Sequence, residues 1–261
     1  MLCSARALLV FIRVGINLPA CSVVLKGFLY ELHMQNIRAI CFDLDDTLWD
    51  MRPVIPRAEK RLYEWFSANY PQVTATYTAA EINALRLRAN ELWPELRHDL
   101  TELRTRILRH IASTAGYDET MVSQAFEVFI EARNDVTVYP DVVPALTRLA
   151  ASYSLFALSN GNADLEKIGL AGYFSASFSA SELGVAKPDG EFFVAAASRC
   201  AFDLHETLHV GDHPENDIVA AEKVGMLAVW LNRSAARWPL SDNLPAHEVT
   251  DLNGLERLMQ P

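Results

Sequence analysis

The chain has 261 residues, of which 51% are hydrophobic, so it can bury a sizeable core and form one large domain or a domain with an insert. A formal net charge of −10 argues against a nucleic-acid partner, because proteins held on nucleic acid by phosphate contacts concentrate Lys and Arg. The four cysteines lie far apart and signal neither a zinc site nor a disulfide framework, so a reduced, cytoplasmic compartment is predicted.

Residues 1–36 differ from the rest of the chain. An apolar stretch after Arg6 resembles the start of a signal peptide, but Arg13 interrupts it. The next uncharged run, Val14–Leu25, contains Pro19 and is shorter than the ~20 residues that a membrane-spanning helix needs. We therefore predict a dispensable N-terminal extension and no membrane partner; an export or anchoring signal is the alternative.

The first convincing strand is the apolar run Ile37–Phe42, which ends in a cluster of carboxylates. Open α/β sheets bind their ligands at the carboxyl ends of buried strands of this kind. Asp43 and Asp45 lie two residues apart, so in an extended chain their side chains share one side and can share a divalent cation. An Asx-turn after the strand is the simpler alternative.

The segment from Pro56 to about Asn134 has only helical patterns. The predicted helices are Ala58–Asn69, Ala79–Ala115 with a break near Pro94, and Glu119–Asn134. Apolar residues at helical spacing, such as Leu103, Ile107 and Ile111, indicate that these helices pack as a compact bundle. We assign residues 52–136 to this helical insert.

Strands and helices alternate after the insert. The predicted strands are Tyr153–Leu158, Ala176–Ala180, Thr207–Val210 and Leu227–Leu231, and the predicted helices are Val142–Ala151, Ala163–Leu170, Gly190–Cys200 and Glu215–Val224. This alternation with short connections implies a parallel sheet covered on both faces. The predicted fold is therefore α/β, a doubly wound, mainly parallel sheet formed by residues 37–51 and 137–261, with the helical domain inserted between them.

Polar residues follow each predicted strand or the loop beside it, and a doubly wound sheet brings these ends together. Ser159, Asn160 and Gly161 can present donors to a phosphate at a helix start, although a helix N-cap is the simpler interpretation. Lys187 precedes Pro188, which restricts the loop backbone, although an isolated lysine is most often a solvated surface charge.

The fourth strand is followed by two acidic residues. Asp212 stands at the strand tip, and Asp217 lies in the first turn of the next helix, where it can also serve simply to complement the helix dipole. In order and context, Asp43-x-Asp45-x-Thr47, Ser159, Lys187-Pro188 and Gly211-Asp212-x₄-Asp217 resemble the four motifs of the haloacid dehalogenase-like hydrolase superfamily. The resemblance covers about residues 37–240 and implies a Rossmann-like core with a class I helical cap.

The resemblance also implies a chemistry: hydrolysis of the phosphate monoester of a small metabolite through an aspartyl-phosphate. Asp43 is expected to attack phosphorus, and Asp45 to protonate the leaving group and then to take a proton from water. Mg²⁺ is expected on Asp43, the backbone carbonyl of Asp45, and Asp212. Lys187 and Ser159 complete the implied catalytic set, Thr47, Asn160 and Gly161 are the implied substrate-binding residues, and Asp217 is expected to orient its neighbours from behind the site.

At a finer level, the residues Phe42–Asp50, Arg52–Ile55 and Ser159–Asn162 are similar to bacterial phosphatases of flavin mononucleotide and of 5-amino-6-(5-phosphoribitylamino)uracil. Trp49, Arg52, Arg57 and Trp93 are candidates to line a pocket for such a ring, but Trp93 as a core residue and Arg57 as a surface charge are equally simple interpretations. His98, His110, His205 and His209 form no metal-like pattern, His213 is merely near the site, and the sequon at Asn232 has no meaning in a cytoplasmic protein.

Two alternatives to a phosphatase stay open. A 2-haloacid dehalogenase, by resemblance, uses the same aspartate nucleophile but has no general acid two residues later, so Asp45 favours phosphate chemistry. A catalytically silent member that acts as a binding or regulatory protein is the second alternative, and the complete set of acids argues against it.

Overall fold

The computed structural model describes residues 34–241 and 244–260. The predicted extension therefore lies outside the described residues up to residue 33. Across the described part of the chain, no helix is both long and apolar enough to cross a lipid bilayer.

A six-stranded sheet forms the centre of the larger domain. Its strands are β1 Ala39–Phe42, β2 Ser154–Ser159, β3 Ala176–Ser179, β4 Thr207–Gly211, β5 Leu227–Leu231 and β6 His247–Val249. All neighbouring strands are parallel, in the order β3-β2-β1-β4-β5-β6. The predicted doubly wound α/β fold is confirmed. The chain runs from β1 outward to β2 and β3 and then crosses to β4 on the other side of β1, so the winding reverses between β1 and β4. The crevice at the carboxyl ends of β1 and β4 is therefore the expected ligand site.

The helices alternate with these strands or form the insert. They are α1 Val54–Asn69, α2 Pro71–Thr76, α3 Ala79–Leu92, α4 Leu100–Ala115, α5 Glu119–Asn134, α6 Val142–Leu149, α7 Leu165–Ile168, α8 Ala180–Leu183, α9 Glu191–Cys200, α10 Ala220–Lys223 and α11 Leu252–Met259. A π-helical segment, Pro214–Val219, precedes α10. β6, α2, α8 and α11 were not predicted; each is short, with eight residues or fewer.

The central strand β1 is buried on both faces. Ile40 and Phe42 belong to one apolar layer, and Ala39 and Cys41 belong to the layer on the other side of the sheet. The first layer is covered by α6 and α11, and the second by α9 and α10. Since alternate side chains of a strand point to opposite faces, a continuous apolar run is what a strand between two helical layers requires.

The helical insert, α1 to α5, has an apolar cluster of its own, made entirely of residues 58 to 132. Its helices are separated by local signals: Thr78 and Glu81 form a capping box before α3, and Asp99 caps α4. Helix α1 starts at Val54, earlier than the predicted Ala58, because Pro56 lies in the first turn, where no backbone N–H partner is needed. The domain boundaries at 51/52 and 136/137 stay a prediction, which the separate apolar cluster supports.

Candidate active site

A cavity of about 190 Å³ opens at the carboxyl ends of the central strands. Its walls are formed by Asp43, Asp45, Asp46, Ser159, Asn160, Gly161, Lys187, Asp212, His213, Asn216 and Asp217. The structure thus brings together every site residue that the sequence indicated except Thr47, which is fully buried behind Asp43. Parallel strands place these residues side by side although they are far apart in the sequence.

Asp43 follows β1 directly and is held by the larger domain alone. Lys187 Nζ donates to Asp43 Oδ1 at 2.7 Å, and Thr47 Oγ1 donates to Oδ2 at 3.2 Å. Burial raises the pKa of Asp43 to about 7; Lys187 opposes this shift, and the Asp217 charge adds to it. Asp43 is therefore a fixed carboxylate at the cavity wall, in surroundings that disfavour its charge.

Lys187 is almost fully buried, and its ammonium group has three partners. Besides Asp43, Nζ donates to Asp217 Oδ1 at 2.6 Å and to the Leu158 carbonyl at 2.9 Å, so all three of its protons are used. Burial alone would lower the pKa of Lys187, but Asp217 and Asp43 raise it above its usual value. The lysine is consequently a permanent positive charge between two carboxylates.

Asn160 fixes the loop that carries this lysine. Its side-chain amide donates to the Lys187 carbonyl at 2.8 Å and accepts from the Lys187 backbone N–H at 2.9 Å. Ser159 Oγ accepts from the Gly161 backbone N–H at 2.9 Å, and its own proton has no acceptor among residues 34–241 and 244–260. The Ser159 hydroxyl can therefore donate into the cavity, whereas the substrate-binding role of Asn160 stays a prediction for a side chain already bonded to its own loop.

Asp217 lies behind the cavity with both oxygens occupied. Oδ1 contacts Lys187 Nζ and His209 Nε2, the latter at 3.1 Å, and Oδ2 accepts from the His213 backbone N–H at 2.9 Å. Burial would raise the pKa of Asp217, but Lys187 and His209 hold it well below its usual value. A Cβ on Gly211 would lie 2.3 Å from Asp217 Cγ, so only glycine leaves room for this arrangement.

His209 was discounted in the sequence and proves to be part of this arrangement. It is fully buried in β4, and burial lowers its pKa below the usual value. A histidine in an otherwise apolar buried strand was the available signal, because a buried polar side chain needs a partner.

Asp212 faces the cavity beside Asp43. Its carboxylate has no hydrogen bond or ion pair with any residue in the described ranges 34–241 and 244–260. Burial, and next the charge of Asp43, raise the pKa of Asp212 to about 8. One carboxylate oxygen from each of Asp43, Asp212 and Asp217 lies within 4.8 Å of the others.

These acids suit a hard divalent cation. Carboxylate oxygens are what Mg²⁺ binds, and a cation would offset the burial and, next to it, the neighbouring negative charges that raise the pKa values of Asp43 and Asp212. Asp217 is a poorer candidate ligand, because three groups, from Lys187, His209 and His213, already contact its oxygens, against two on Asp43. The donor set therefore fits the predicted use of Asp43 and Asp212, with Asp217 behind them.

Asp45 is held differently, by an arginine from the helical insert that the sequence did not single out. Arg133 Nη2 donates to Asp45 Oδ1 at 2.8 Å and to Oδ2 at 2.6 Å, while Trp49 Nε1 donates to Oδ1 at 2.9 Å. Arg133 Nε donates to Asn162 Oδ1 at 3.1 Å. The only sequence signal was the position of Arg133 at the end of α5, next to the chain's return to the sheet.

The four residues that the sequence offered as pocket candidates, Trp49, Arg52, Arg57 and Trp93, lie in different environments. Trp49 is fully buried, Trp93 packs against the apolar cluster of the insert, and Arg57 contacts Asp135 at the surface. Arg52 lines a cavity of about 680 Å³ between α1 and α3. The sequon residue Asn232 is buried and hydrogen-bonded to Ala236 and Glu248.

Comparison with known proteins identifies the family. The sequence model of the haloacid dehalogenase-like hydrolases matches residues 37–225, well over half of the chain. The chain belongs to the haloacid dehalogenase-like hydrolase family. The resemblance seen in the four motifs is thereby confirmed.

The relatives of this family member include phosphatases and dehalogenases. The 5-amino-6-(5-phospho-D-ribitylamino)uracil phosphatase YigB of Escherichia coli (strain K12) is 34% identical over 231 residues, which are 86% of this chain and 97% of YigB. The crystal structure of a 2-haloacid dehalogenase from Pseudomonas syringae pv. Tomato DC3000 is similar with a TM-score of 0.79 at 37% identity, covering 85% of this chain and 98% of that one. The family model and YigB together confirm the prediction of a phosphatase-type hydrolase.

A third relative shares the fold at greater distance. The putative hydrolase YfnB from Bacillus subtilis, whose crystal structure is described as bound to magnesium, has a TM-score of 0.63 at 20% identity and covers 86% of this chain and 99% of that one. This likeness shows the common fold.

Proposed function

We propose that this family member is a Mg²⁺-dependent phosphatase that hydrolyses a small phosphorylated metabolite in the cytoplasm. The observation that carries the proposal is the convergence of Asp43, Asp45, Lys187 and Asp212 on one cavity of about 190 Å³. That volume accommodates a phosphoryl group with its surrounding ligands and leaves the rest of the metabolite to extend toward the helical cap, residues 52–136.

The first half of the reaction uses the two acids that follow β1. An Asp43 oxygen attacks phosphorus, the bond from phosphorus to the leaving oxygen breaks, and Asp45 gives that oxygen a proton. Lys187, already 2.7 Å from Asp43, keeps the nucleophile oriented, and the free Ser159 hydroxyl proton is available to a phosphoryl oxygen. The product of this half is a phosphoryl group bound covalently to Asp43.

The second half releases phosphate. Asp45, now without its proton, accepts one from a water that attacks phosphorus, and the bond from phosphorus to Asp43 breaks. Asp43, Asp212 and the Asp45 backbone carbonyl would hold Mg²⁺, which when bound neutralises charge on the transferring group. Hydrolysis of phosphate monoesters needs some of the largest known rate enhancements, which explains why so many charges meet here.

The substrate that we propose is 5-amino-6-(5-phosphoribitylamino)uracil or flavin mononucleotide. The support is the 34% identity to YigB over nearly its whole length. Both compounds are primary alkyl phosphates with a planar ring, so a panel of phosphorylated metabolites should place them first by kcat/KM. A clear preference for small sugar phosphates would reject this substrate class while leaving the phosphatase itself intact.

The dehalogenase is the second candidate, and the structural relative at 37% identity favours it. The experiment that separates the two is direct: the purified protein is given (S)-2-chloropropionate in one assay and the phosphate panel in another, and the release of chloride and of phosphate is measured. We expect phosphate only, because Asp45 is present at the cavity wall. Chloride release without phosphate release would overturn the proposal.

Removal of the metal gives an independent test. Incubation with EDTA followed by desalting should abolish hydrolysis of p-nitrophenyl phosphate, and Mg²⁺ should restore it, because the cation is needed to neutralise charge on the transferring group. Calorimetric titration of the EDTA-treated protein with Mg²⁺ should show binding that the Asp212→Asn variant loses. Hydrolysis that persists after chelation would contradict the metal requirement.

A further inference from the structure

We propose that Arg133, in the last turn of the cap helix α5, is a positioning residue that presents Asp45 Oδ2 to the leaving group. The inference rests on the proposed role of Asp45 as the proton donor and acceptor. It goes further because it names the atom that exchanges the proton and the residue outside the four motifs that orients it. Arg133 lies 88 residues from Asp45 in the sequence and belongs to the other domain.

The contacts of Asp45 distinguish its two oxygens. Oδ1 accepts from both Trp49 Nε1 and Arg133 Nη2, at 2.9 and 2.8 Å, so both of its lone pairs are used. Oδ2 accepts from Arg133 Nη2 at 2.6 Å and has no other donor among residues 34–241 and 244–260. One lone pair of Oδ2 is thus left for a proton, and proton exchange with the substrate is assigned to this oxygen.

Space around Oδ2 leads to the same assignment. A Cβ on Gly161 would lie 2.5 Å from Asp45 Oδ2, 3.1 Å from Arg133 Nη2 and 3.2 Å from Ser159 Oγ. Oδ2 therefore points to Gly161 and to the side of the cavity where the Ser159 hydroxyl lies. The absence of a side chain at residue 161 keeps this space open for the phosphoryl group and its leaving oxygen.

Arg133 itself is fixed by the junction of the two domains. The whole residue is 2% exposed, its Nε donates to Asn162, and Asn162 Nδ2 in turn contacts Thr101 Oγ1 at 3.3 Å in the cap. The next residue of α5, Asn134, accepts a hydrogen bond from the Asp164 backbone N–H at 2.9 Å. These contacts hold the guanidinium group at one place above the sheet.

The arrangement is not one that stability alone would select. Arg133 Nη1 is buried without a hydrogen-bond partner in the described residues, and a buried unpaired donor costs free energy of folding. A buried ion pair is also weak support for stability, because desolvation offsets its attraction. Arg133 is absent from the residues that line the cavity, and its guanidinium donates to the cavity residue Asp45, so we assign its effect on the reaction to Asp45.

The test compares two esters that need the proton to different degrees. p-Nitrophenolate leaves without protonation, whereas the alkoxide of an alkyl phosphate does not. The measured quantity is kcat/KM, which reports the steps up to leaving-group departure. For the best alkyl ester of the panel, Arg133→Met should lower kcat/KM by about 10²-fold, the usual contribution of general acid catalysis. For p-nitrophenyl phosphate, kcat/KM should fall by less than a tenth of that factor.

Three further variants make the result specific. Asp45→Asn should show the same dependence on the leaving group, and the double variant should be no worse than Asp45→Asn, since both changes remove one function. Arg133→Lys, which keeps the charge in the fold, should recover part of the loss on the alkyl ester. Arg104→Met removes another buried cap arginine, one paired with Glu59, and should lower kcat/KM for both esters by the same factor.

The outcomes separate this inference from the proposed function. An equal loss on both esters in both Arg133 variants, or losses that add in the double variant, would overturn the positioning role of Arg133. If Asp45→Asn itself shows no dependence on the leaving group, the proposed function of Asp45 fails first, and the inference fails with it.

Discussion

The two carboxylates that follow β1 are only two residues apart, yet different domains hold them. Asp43 is bonded to Lys187 and Thr47, both from the α/β core, and is 7% exposed. The side chain of Asp45 is 26% exposed and is bonded to Arg133 of the cap and to Trp49. The nucleophile is therefore placed by the sheet, and the acid is placed where the cap meets it.

This difference shows how one site can combine fixed reacting groups with a group that depends on the cap. Asp43, Lys187 and Asp217 are joined by buried ion pairs within the α/β core, so they form one connected group. Asp45 instead depends on Arg133, a residue of the inserted domain. Changes in the two groups should therefore give different results: changes to the first abolish turnover or folding, and changes to the second alter which ester is cleaved.

The largest effect is expected for Asp43→Asn. Loss of the nucleophile should reduce turnover of p-nitrophenyl phosphate by about 10⁴-fold or more. The protein should stay folded, because the amide oxygen can face Lys187 while its NH₂ donates to the Thr47 hydroxyl. Circular dichroism should show an unchanged spectrum. The parent protein should retain ³²P from a labelled substrate after acid quenching, as the phosphoryl group on Asp43, and the variant should not. Substantial turnover by the folded variant would contradict the assignment of the nucleophile.

How far the sequence predicted this site follows the same division. Asp43, Ser159 and Asp212 could be found because each follows a predicted strand, and parallel strands bring such ends together. Lys187 could be found because its loop, before a predicted helix, lies beside the same edge of the sheet. The order of the strands in the sheet and the contact of His209 with Asp217 became visible only in the structure. Strand β6 was missed because it is a three-residue edge strand that follows an irregular segment.

Arg133 could not be found in this way. Helical periodicity indicates which face of α5 is buried, but both Arg104 and Arg133 are buried in the cap, and only one of them reaches the other domain. Which of the two arginines does so depends on how the two domains pack, and the local sequence pattern does not contain that information. The cap residues closest to the chemistry were therefore the least predictable part of the site.

Two glycine substitutions, with effects of intermediate size, test the difference between the group around Asp43 and the site of Asp45. Gly211→Ala places a methyl group against Asp217, which is 1% exposed and has no room to move, so we expect a loss of about 3 kcal/mol of unfolding free energy. Gly161→Ala presses on Asp45, whose side chain can turn toward solvent, so a smaller loss of about 1 kcal/mol is expected.

The effect on ester selectivity should be the reverse: larger for Gly161→Ala than for Gly211→Ala. The folded fraction of Gly161→Ala should lose kcat/KM for alkyl esters far more than for p-nitrophenyl phosphate, since Asp45 is displaced. Gly211→Ala should show no such discrimination. Urea denaturation and the two-ester assay provide both measurements, and equal destabilisation with equal selectivity would remove the distinction between the two groups.

The smallest effect is expected at an ion pair inside the core but away from the reacting atoms. Arg233 Nη1 and Nη2 donate to the two oxygens of Asp141 at 3.1 and 3.0 Å, and its Nε donates to the Thr47 carbonyl at 2.8 Å. Burial would raise the pKa of Asp141, but Arg233 and the Leu252 backbone N–H outweigh it and lower that pKa. Asp141→Asn should cost about 1 kcal/mol of unfolding free energy near neutral pH.

The sign of the pH dependence follows from that lowered pKa. A carboxyl group with a lower pKa in the folded state stabilises the fold above its unfolded pKa, which is about 4, and this contribution disappears as the pH falls through the folded value. The difference in urea midpoint between the parent protein and Asp141→Asn should therefore be full at neutral pH and should shrink at acid pH. Glu256→Gln is the matched control, because its partner Arg148 is 55% exposed and its loss should cost at most about 0.5 kcal/mol. A difference in urea midpoint for Asp141→Asn that grows as the pH falls would contradict the charged pair. A cost no greater than that of Glu256→Gln would show that the pair of Asp141 with Arg233, which contacts the Thr47 carbonyl, does not stabilise the core.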